Sequence, residues 1–241
     1  MPKHRISVWS SPRNISTALM YAFAQRPDTR VFDEPLYARY LASGHAQIEH
    51  PGHAEILASQ SPDIKEVIHK VLLADYGKDV LFFKQMTHHL AGLDYDFLLD
   101  MQNVILIRDP RRIIASFAKV IPNPGMDDVG VARQVDLLRF LQKKQPDVQV
   151  VDAKDLLMDP PRILGLLCAR LGIPFYSEML NWDSGARPED GVWAPHWYAN
   201  VHRSTGFIPY VEKAVDLSPD LEQLAQQCQP YYEELRSFAI Q

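Results

Sequence analysis

Cysteine is scarce in this sequence, with Cys168 and Cys228 the only two in 241 residues. Neither sits in a CxxC pair or a Cys/His cluster, so the chain does not read as a disulfide framework and fits a reducing compartment. Cys168 falls in the helix-like run LGLLCARLG and reads as a small core residue. Long apolar runs are missing too. The start, MPKHRISVW, has no apolar signal core, and no later stretch approaches membrane-spanning length. A cytoplasmic protein with no membrane partner is expected. Positive charge is not in excess: 25 Lys and Arg against 30 Asp and Glu leave a net charge of -5, which counts against nucleic acid as a partner. It leaves room for a local basic pocket. Repeats, low-complexity tracts and linkers are absent, so residues 1–241 read as one domain long enough to bury a substantial core.

Three catalytic patterns are absent as well. There is no GxxxxGK[ST] loop, so the lysine and glycines that cradle β- and γ-phosphates are missing. No clear apolar strand ends in a Walker-B aspartate; Asp109 is the nearest and is surrounded by arginines. No G-x-S-x-G elbow appears, which makes a Ser/His/Asp hydrolase remote.

What is present is organised around residues 6–23, ISVWSSPRNISTALMYAF. The stretch starts apolar and short, breaks at Ser10-Ser11-Pro12 and resumes with helical character from Ile15. That predicts a strand, a tight loop and a helix N-terminus. Backbone N–H groups at a helix start lack intrahelical partners and lie at the positive end of its dipole. Ser10, Ser11, Arg13, Asn14, Ser16 and Thr17 would surround a pocket suited to a phosphate or sulfate group. An ordinary strand-to-helix connection with a Ser-rich cap fits the same residues, and this stretch alone does not separate the two.

The first helix is expected over 15–25, stopped by Arg26-Pro27-Asp28. A short buried strand over 29–32 leads to Asp33-Glu34-Pro35, where proline fixes the chain and presents Glu34 at a strand end. Residues 36–59 carry His45, His50 and His53 among Gly, Pro and Ala. Pro51-Gly52 breaks the helical face a metal-binding pair would need, so a mobile segment beside the substrate is expected there. A helix over 63–76, capped from Ser61, precedes the buried strand 79–85 (DVLFFKQ). That strand ends in Lys84 and runs into His88 and His89, which read as accessible to a substrate.

A short helix over 93–101 and the strand 103–107 (NVILI) lead into Arg108-Asp109-Pro110-Arg111-Arg112, with Pro110 as the first residue of a helix. Arg108 and Ser116 lie on either side of this turn, placed to converge on one anion. Positive charge at a helix N-terminus opposes the dipole, so three arginines there require an anion or nearby carboxylates. After the turn-rich residues 121–128, helices over 129–144 and 160–171 flank the strand 148–151, and a core-packing helix over 221–238 closes the chain. This alternation implies an α/β fold, a parallel central sheet with helices on both faces. Ligands bind beyond the carboxyl ends of such strands. The loop from Ser10, Glu34, the stretch from Lys84 to His89, and Arg108 all fall at such ends. Residues 181–207 form a second irregular segment, with three of the four tryptophans and the turn Arg203-Ser204-Thr205-Gly206-Phe207. Its aromatics suit stacking on a base, closing as a lid or packing over the domain.

Taken in order, these pieces resemble the PAPS-dependent sulfotransferase family, whose donor is 3′-phosphoadenosine 5′-phosphosulfate. The resemblance implies a three-layer P-loop-type fold and a loop for the 5′-phosphosulfate after the first strand. Ser11, Pro12, Arg13, Asn14, Ile15, Ser16 and Thr17 occupy that place, with Arg13 at the family's basic position and Ser16-Thr17 at its hydroxyl pair. Asn14-Ile15 replaces the usual Ser-Gly pair, and a branched residue there is expected to narrow or reshape the loop. The family's 3′-phosphate site, an arginine at a strand end and a serine eight residues on, is matched by Arg108 and Ser116. Residues 150–175 resemble the segment that follows it, while Arg203 and Ser204 only faintly echo the late donor-binding motif.

The reaction so implied moves a sulfuryl group from PAPS to a hydroxyl or amine of a small-molecule acceptor, leaving adenosine 3′,5′-bisphosphate, with no metal required. Arg13 and the loop N–H groups would stabilise charge on the sulfuryl and bridging oxygens, with Lys84 as a helper. The acceptor proton needs a base. Glu34 is favoured, held by Pro35 and near enough to Arg13 for an ion pair; His88 and His89 stand next. The acceptor is left open, and a homodimer is compatible with the sequence but not decided by it. A P-loop kinase-like phosphotransferase and a non-catalytic nucleotide-binding protein, its loop closed by Ile15, are the alternatives.

Overall fold

The computed structural model describes residues 2–46, 49–121, 123–145 and 147–241. Five short apolar runs form strands: β1 (His4–Ser10), β2 (Thr29–Asp33), β3 (Val80–Met86), β4 (Gln102–Ile107) and β5 (Gln149–Asp152). All pairings are parallel, in the order β2-β3-β1-β4-β5. β1 is central, with β3 on one side in register from His4↔Val80 to Ser10↔Met86 and β4 on the other. The chain thus leaves β1 towards one edge and returns to its other side, and the crevice beyond the carboxyl end of β1 is the switch point of the sheet.

Between the strands lie α1 (Ser16–Ala24), α2 (Tyr37–Ala42), α3 (His53–Ser59), α4 (Ile64–Val67), α5 (Pro110–Phe117), α6 (Met126–Val129) and α7 (Val131–Lys144), and directly after β5 come α8 (Ala153–Met158) and α9 (Pro160–Arg170). α10 (Ala194–Trp197) and α11 (Pro219–Arg236) follow β5 and α9 in the last third. Alternate strand residues point to opposite faces, as the period of two requires. Trp9, Phe83, Ile105 and Val150 pack with Leu138 of α7 and Cys228 and Leu235 of α11. Ile6, Val8, Phe82, Leu106 and Val151 pack on the other face with Leu19 and Phe23 of α1 and Leu167 and Cys168 of α9. The result is the three-layer α/β arrangement expected. α5 begins at Pro110 as expected, and both α5 and α9 have proline in the first turn and an aspartate cap, Asp109 and Asp159. Among the described residues no helix is long and apolar enough to cross a membrane.

Four stretches differ from expectation. Residues 36–59 form α2 and α3, because Tyr37, Tyr40, Leu41 and Ile56 bury against Trp193 and Tyr198 from the distant 190s; Gln47 and Ile48 lie outside the described residues. The helix expected over 63–76 ends its α-helical part at Val67 and continues as a π-turn, Ile68–Leu72, capped by Asp63 rather than Ser61. Ser61 instead donates to Glu66 Oε2 at 2.6 Å. Residues 93–101 supply only the 3-10 turn Asp96–Asp100. The expected break at 121–128 partly forms α6, whose last residue is Val129, and Pro122 lies outside the described residues.

Candidate active site

The loop after β1 is fastened before any ligand enters. Asn14 donates from Nδ2 to the Leu106 carbonyl at the end of β4, 3.0 Å away, and its Oδ1 accepts from the Ile15 N–H at 2.9 Å. Its side chain therefore shapes the loop. Arg13 takes the left-handed backbone position, φ +54°, whereas Ile15 has φ −83° and packs towards the core. Ile15 thus replaces glycine without strain, because the left-handed position falls on Arg13. No side chain caps α1, which leaves its first N–H groups facing the crevice. α5 differs, since Asp109 accepts from the Arg111 N–H at 2.8 Å.

The three arginines at the start of α5 separate by partner. Arg111 is paired with Glu222 of α11, and Arg112 with Glu212 at 2.7 Å. Arg108 donates to the Arg13 carbonyl at 2.6 Å and has no ion pair among the described residues. Burial lowers its pKa, with the neighbouring Arg112 and Arg13 adding to the shift and Asp109 opposing it. Arg13 donates from Nε to Ser116 Oγ at 3.0 Å and to the Trp197 carbonyl at 3.1 Å. Ser116 accepts in that bond and keeps its own O–H to donate. Arg108 and Ser116, expected on either side of one anion, are thus both joined to Arg13.

Glu34 follows β2, and its carboxylate does not meet Arg13. Its Oε1 accepts from Lys84, which also donates to Asp33 at 2.8 Å and to the Tyr198 hydroxyl at 2.6 Å. Lys84 is almost wholly buried, and its ammonium donors are directed to Asp33, Glu34 and Tyr198. Glu34 Oε2 makes no hydrogen bond among the described residues and lies 3.9 Å from His89 Nε2. Burial raises the Glu34 pKa above the ordinary carboxylate range, with Lys84 opposing and Asp33 adding to the shift. Burial alone would lower the Lys84 pKa, but Asp33 and Glu34 hold it above its ordinary value.

His88 and His89 are buried rather than exposed, yet both line the same cavity. The His89 ring stacks on Tyr37 and Tyr40, at centroid distances of 4.6 and 4.9 Å. Burial, with the neighbouring histidines, lowers the pKa of both and keeps them neutral. His50 joins them, its Nδ1 2.6 Å from the Tyr37 hydroxyl, whereas His53 is exposed. Among the described residues, no group of three His, Cys, Asp or Glu is arranged to hold a metal ion.

One cavity of about 450 Å³ reaches Pro12 to Thr17, Glu34, Lys84, His88, His89, Arg108, Ser116 and Ser204. Three expected residues are not on it, the first being Ser10, which is buried with its hydroxyl donating to the Ser11 carbonyl at 2.8 Å. Ser11 is buried behind the loop, donating to Gln134 Oε1 at 3.1 Å. Arg203 turns outward onto Asn200 Oδ1 at 2.7 Å. Sequence reasoning missed Tyr198 and the part played by Asp33. The Tyr198 hydroxyl donates to Asp33 Oδ2 at 2.7 Å and accepts from Trp193 Nε1 at 3.0 Å. The acidic pair DEP was a signal for Asp33; Tyr198 carried none, being one more aromatic in an irregular stretch.

The family described as sulfotransferase domain matches residues 4–239. Two curated relatives come from Arabidopsis thaliana. Branched-chain-amino-acid aminotransferase-like protein 2 is 37% identical over 233 residues, and protein 1 of that name is 41% identical over 204. The matches take in 96% and 84% of this chain but 41% and 36% of the relatives, so the chain spans about two fifths of their length. Among solved structures, the sulfotransferase domain from the curacin biosynthetic pathway has a TM-score of 0.60 at 20% identity, covering 95% of this chain and 98% of that one. Mouse sulfotransferase SULT7A1 complexed with PAP has a TM-score of 0.54 at 12% identity, covering 100% and 91%. At these identities the likeness is one of fold.

Proposed function

The chain belongs to the sulfotransferase domain family, and from that premise we propose that it moves a sulfuryl group from PAPS to a hydroxyl or amine of a small-molecule acceptor. The observation that carries the reading is the division of the cavity. Arg13, Arg108 and Ser116 form one contact group, in which Arg108 lacks a carboxylate partner. Glu34 stands in a second group, with one carboxylate oxygen free. An anionic donor fits the first and an acceptor proton the second.

In this reading the first N–H groups of α1 and the Arg13 guanidinium hold the 5′-phosphosulfate, and Arg108 and Ser116 hold the 3′-phosphate. The PAPS supplies the activated S–O bond. Glu34 takes the acceptor proton as the acceptor oxygen or nitrogen bonds to sulfur. The bridging S–O bond breaks, its electron pair leaving with adenosine 3′,5′-bisphosphate. Arg13 stabilises the charge that develops on the bridging oxygen. Lys84 and Asp33 fix where Glu34 stands. The cytoplasm suits this protein, whose two cysteines are both buried free thiols.

The test is mass-spectrometric detection of a sulfated product formed one-to-one with adenosine 3′,5′-bisphosphate when the protein meets PAPS and a panel of hydroxyl and amine acceptors. Coupled formation of both is expected. Bisphosphate binding with no turnover across such a panel would point to a binding protein instead.

A further inference from the structure

The second half of the cavity carries more buried hydrogen-bonding capacity than the protein itself uses. His88 Nδ1, His50 Nε2 and both ring nitrogens of His89 are buried and have no hydrogen-bond partner among the described residues. Buried polar atoms are normally paired, and each such exception asks for an explanation. These three imidazoles lie on one wall, with His50 and His88 centroids 6.4 Å apart and His88 and His89 4.6 Å apart. All three residues line the cavity that Glu34 also lines.

The charge of this wall is as informative as its hydrogen bonds. Three cations act on the histidines: Lys84, Arg39 and Arg133. Lys84 is occupied by Asp33 and Glu34, and Arg39 donates to the Ala91 and Gly92 carbonyls. Arg133 does not line the cavity. The other cations on the cavity, Arg13, Arg108, Arg112 and Lys213, belong to the anion group, where Arg112 donates to the Lys213 carbonyl. A carboxylate or phosphate beside the histidines would therefore meet Glu34 with no cation of this wall, among the described residues, left to offset it. An ammonium group, which only donates, would leave the donor side of each ring unmatched. A neutral imidazole has one nitrogen that donates and one that accepts, which matches a hydroxyl. The rings of Tyr37 and Trp193, which line the cavity beside the histidines, supply apolar faces for C–H groups.

Resting on the sulfotransferase reading, we propose that the acceptor is a small uncharged polyol. One hydroxyl stands at Glu34 and receives the sulfuryl group; at least one other is hydrogen-bonded by His50 and His88. His50 and His88 are then specificity-determining residues, and the chemistry stays with Glu34 and Arg13.

The experiment uses the full chain. Calorimetry with adenosine 3′,5′-bisphosphate comes first, since failure to bind would count against the sulfotransferase reading itself. Transfer from PAPS is then measured to glycerol, myo-inositol and methyl glucoside, to the matching carboxylates glycerate and methyl glucuronide, and to glucosamine. A neutral member is expected to lead in kcat/KM by tenfold or more. His50→Phe and His88→Phe are expected to raise its KM roughly fivefold to tenfold, the loss of one hydrogen bond each, with bisphosphate affinity unchanged. His50→Gln, which keeps a donor and an acceptor, should restore part of that loss. A protein that binds the bisphosphate yet favours a carboxylate or amine, or sulfates no neutral member, overturns the proposal. So does an unchanged KM in both phenylalanine variants.

Discussion

Arg13 and Glu34 carry left-handed backbones, φ +54° and +43°, although neither is glycine. Such conformations cost roughly 1–3 kcal/mol each and persist only where neighbours over-determine them. At Glu34 the neighbours are visible. Its N–H donates to the Lys84 carbonyl at 2.8 Å, and its own carbonyl accepts from the Tyr37 N–H at 3.0 Å and from Gln60 Nε2 at 3.1 Å. The carboxylate is thus delivered to the cavity by the backbone. Glu34→Gln should lower kcat by about 10²-fold or more, the scale of lost general-base catalysis, with bisphosphate binding intact in calorimetry. A near-normal kcat would remove Glu34 from the role. Because burial raises its pKa, activity should rise with pH as Glu34 loses its proton, with the acid limb above the ordinary carboxyl range. Lys84 favours the ionised carboxylate, so Lys84→Met should move that limb to still higher pH; an unmoved limb would assign it to another group. The same change leaves Asp33 and Glu34 buried without their cation, a loss of about 3–5 kcal/mol in denaturant unfolding. Glu34 and Arg108 were legible in the sequence because strand ends are local features. Tyr198 was not, since it reaches Asp33 across 165 positions.

At the scale of elements, the carboxyl ends of the five strands could be placed from apolar runs and the residues that stop them. The short helices α2 and α3 were missed for a physical reason. Neither has a side-chain cap, and both take their stability from aromatic packing against the 190s; short helices depend on such tertiary contacts more than on propensity. The segment around α10 was read as irregular, and its partners explain its order. Tyr198 bonds Asp33 and Lys84, Gly191 donates its N–H to Asp33 Oδ2 at 3.0 Å, and the Trp197 carbonyl accepts from Arg13. The segment is pinned to both contact groups of the cavity. Tyr198→Phe, which keeps the ring and removes the hydroxyl, should speed amide exchange across residues 190–204 by roughly tenfold, the scale of one or two net hydrogen bonds. Exchange unchanged there, with the rest of the sheet equally protected, would show that packing alone holds the segment.

Across the whole molecule, the chain end closes what the start opens. Ile240 donates its N–H to the Val150 carbonyl at 2.9 Å, and Ala239 bridges Val150, so the β5 edge is covered. α11 also supplies Glu222 to Arg111, and the stretch before it supplies Glu212 to Arg112, which leaves Arg108 as the one of these three arginines without an ion pair among the described residues. This division of labour could not be read from the arginine cluster itself, because the carboxylates lie about a hundred positions away. A ligand that binds only the folded chain stabilises it by about 2.7 kcal/mol at a hundredfold excess over Kd. For a chain of this size that is a rise in Tm of roughly 5–10 °C with adenosine 3′,5′-bisphosphate; no shift would mean no such site. The central claim, an anion site built on Arg108, is tested most directly by calorimetric titration of adenosine 3′,5′-bisphosphate into the wild type and Arg108→Ala. The account predicts tight binding by the wild type, weakened at least about tenfold in the variant by loss of a charge-assisted contact. A folded wild type that does not bind, or a variant that binds equally well, would contradict it.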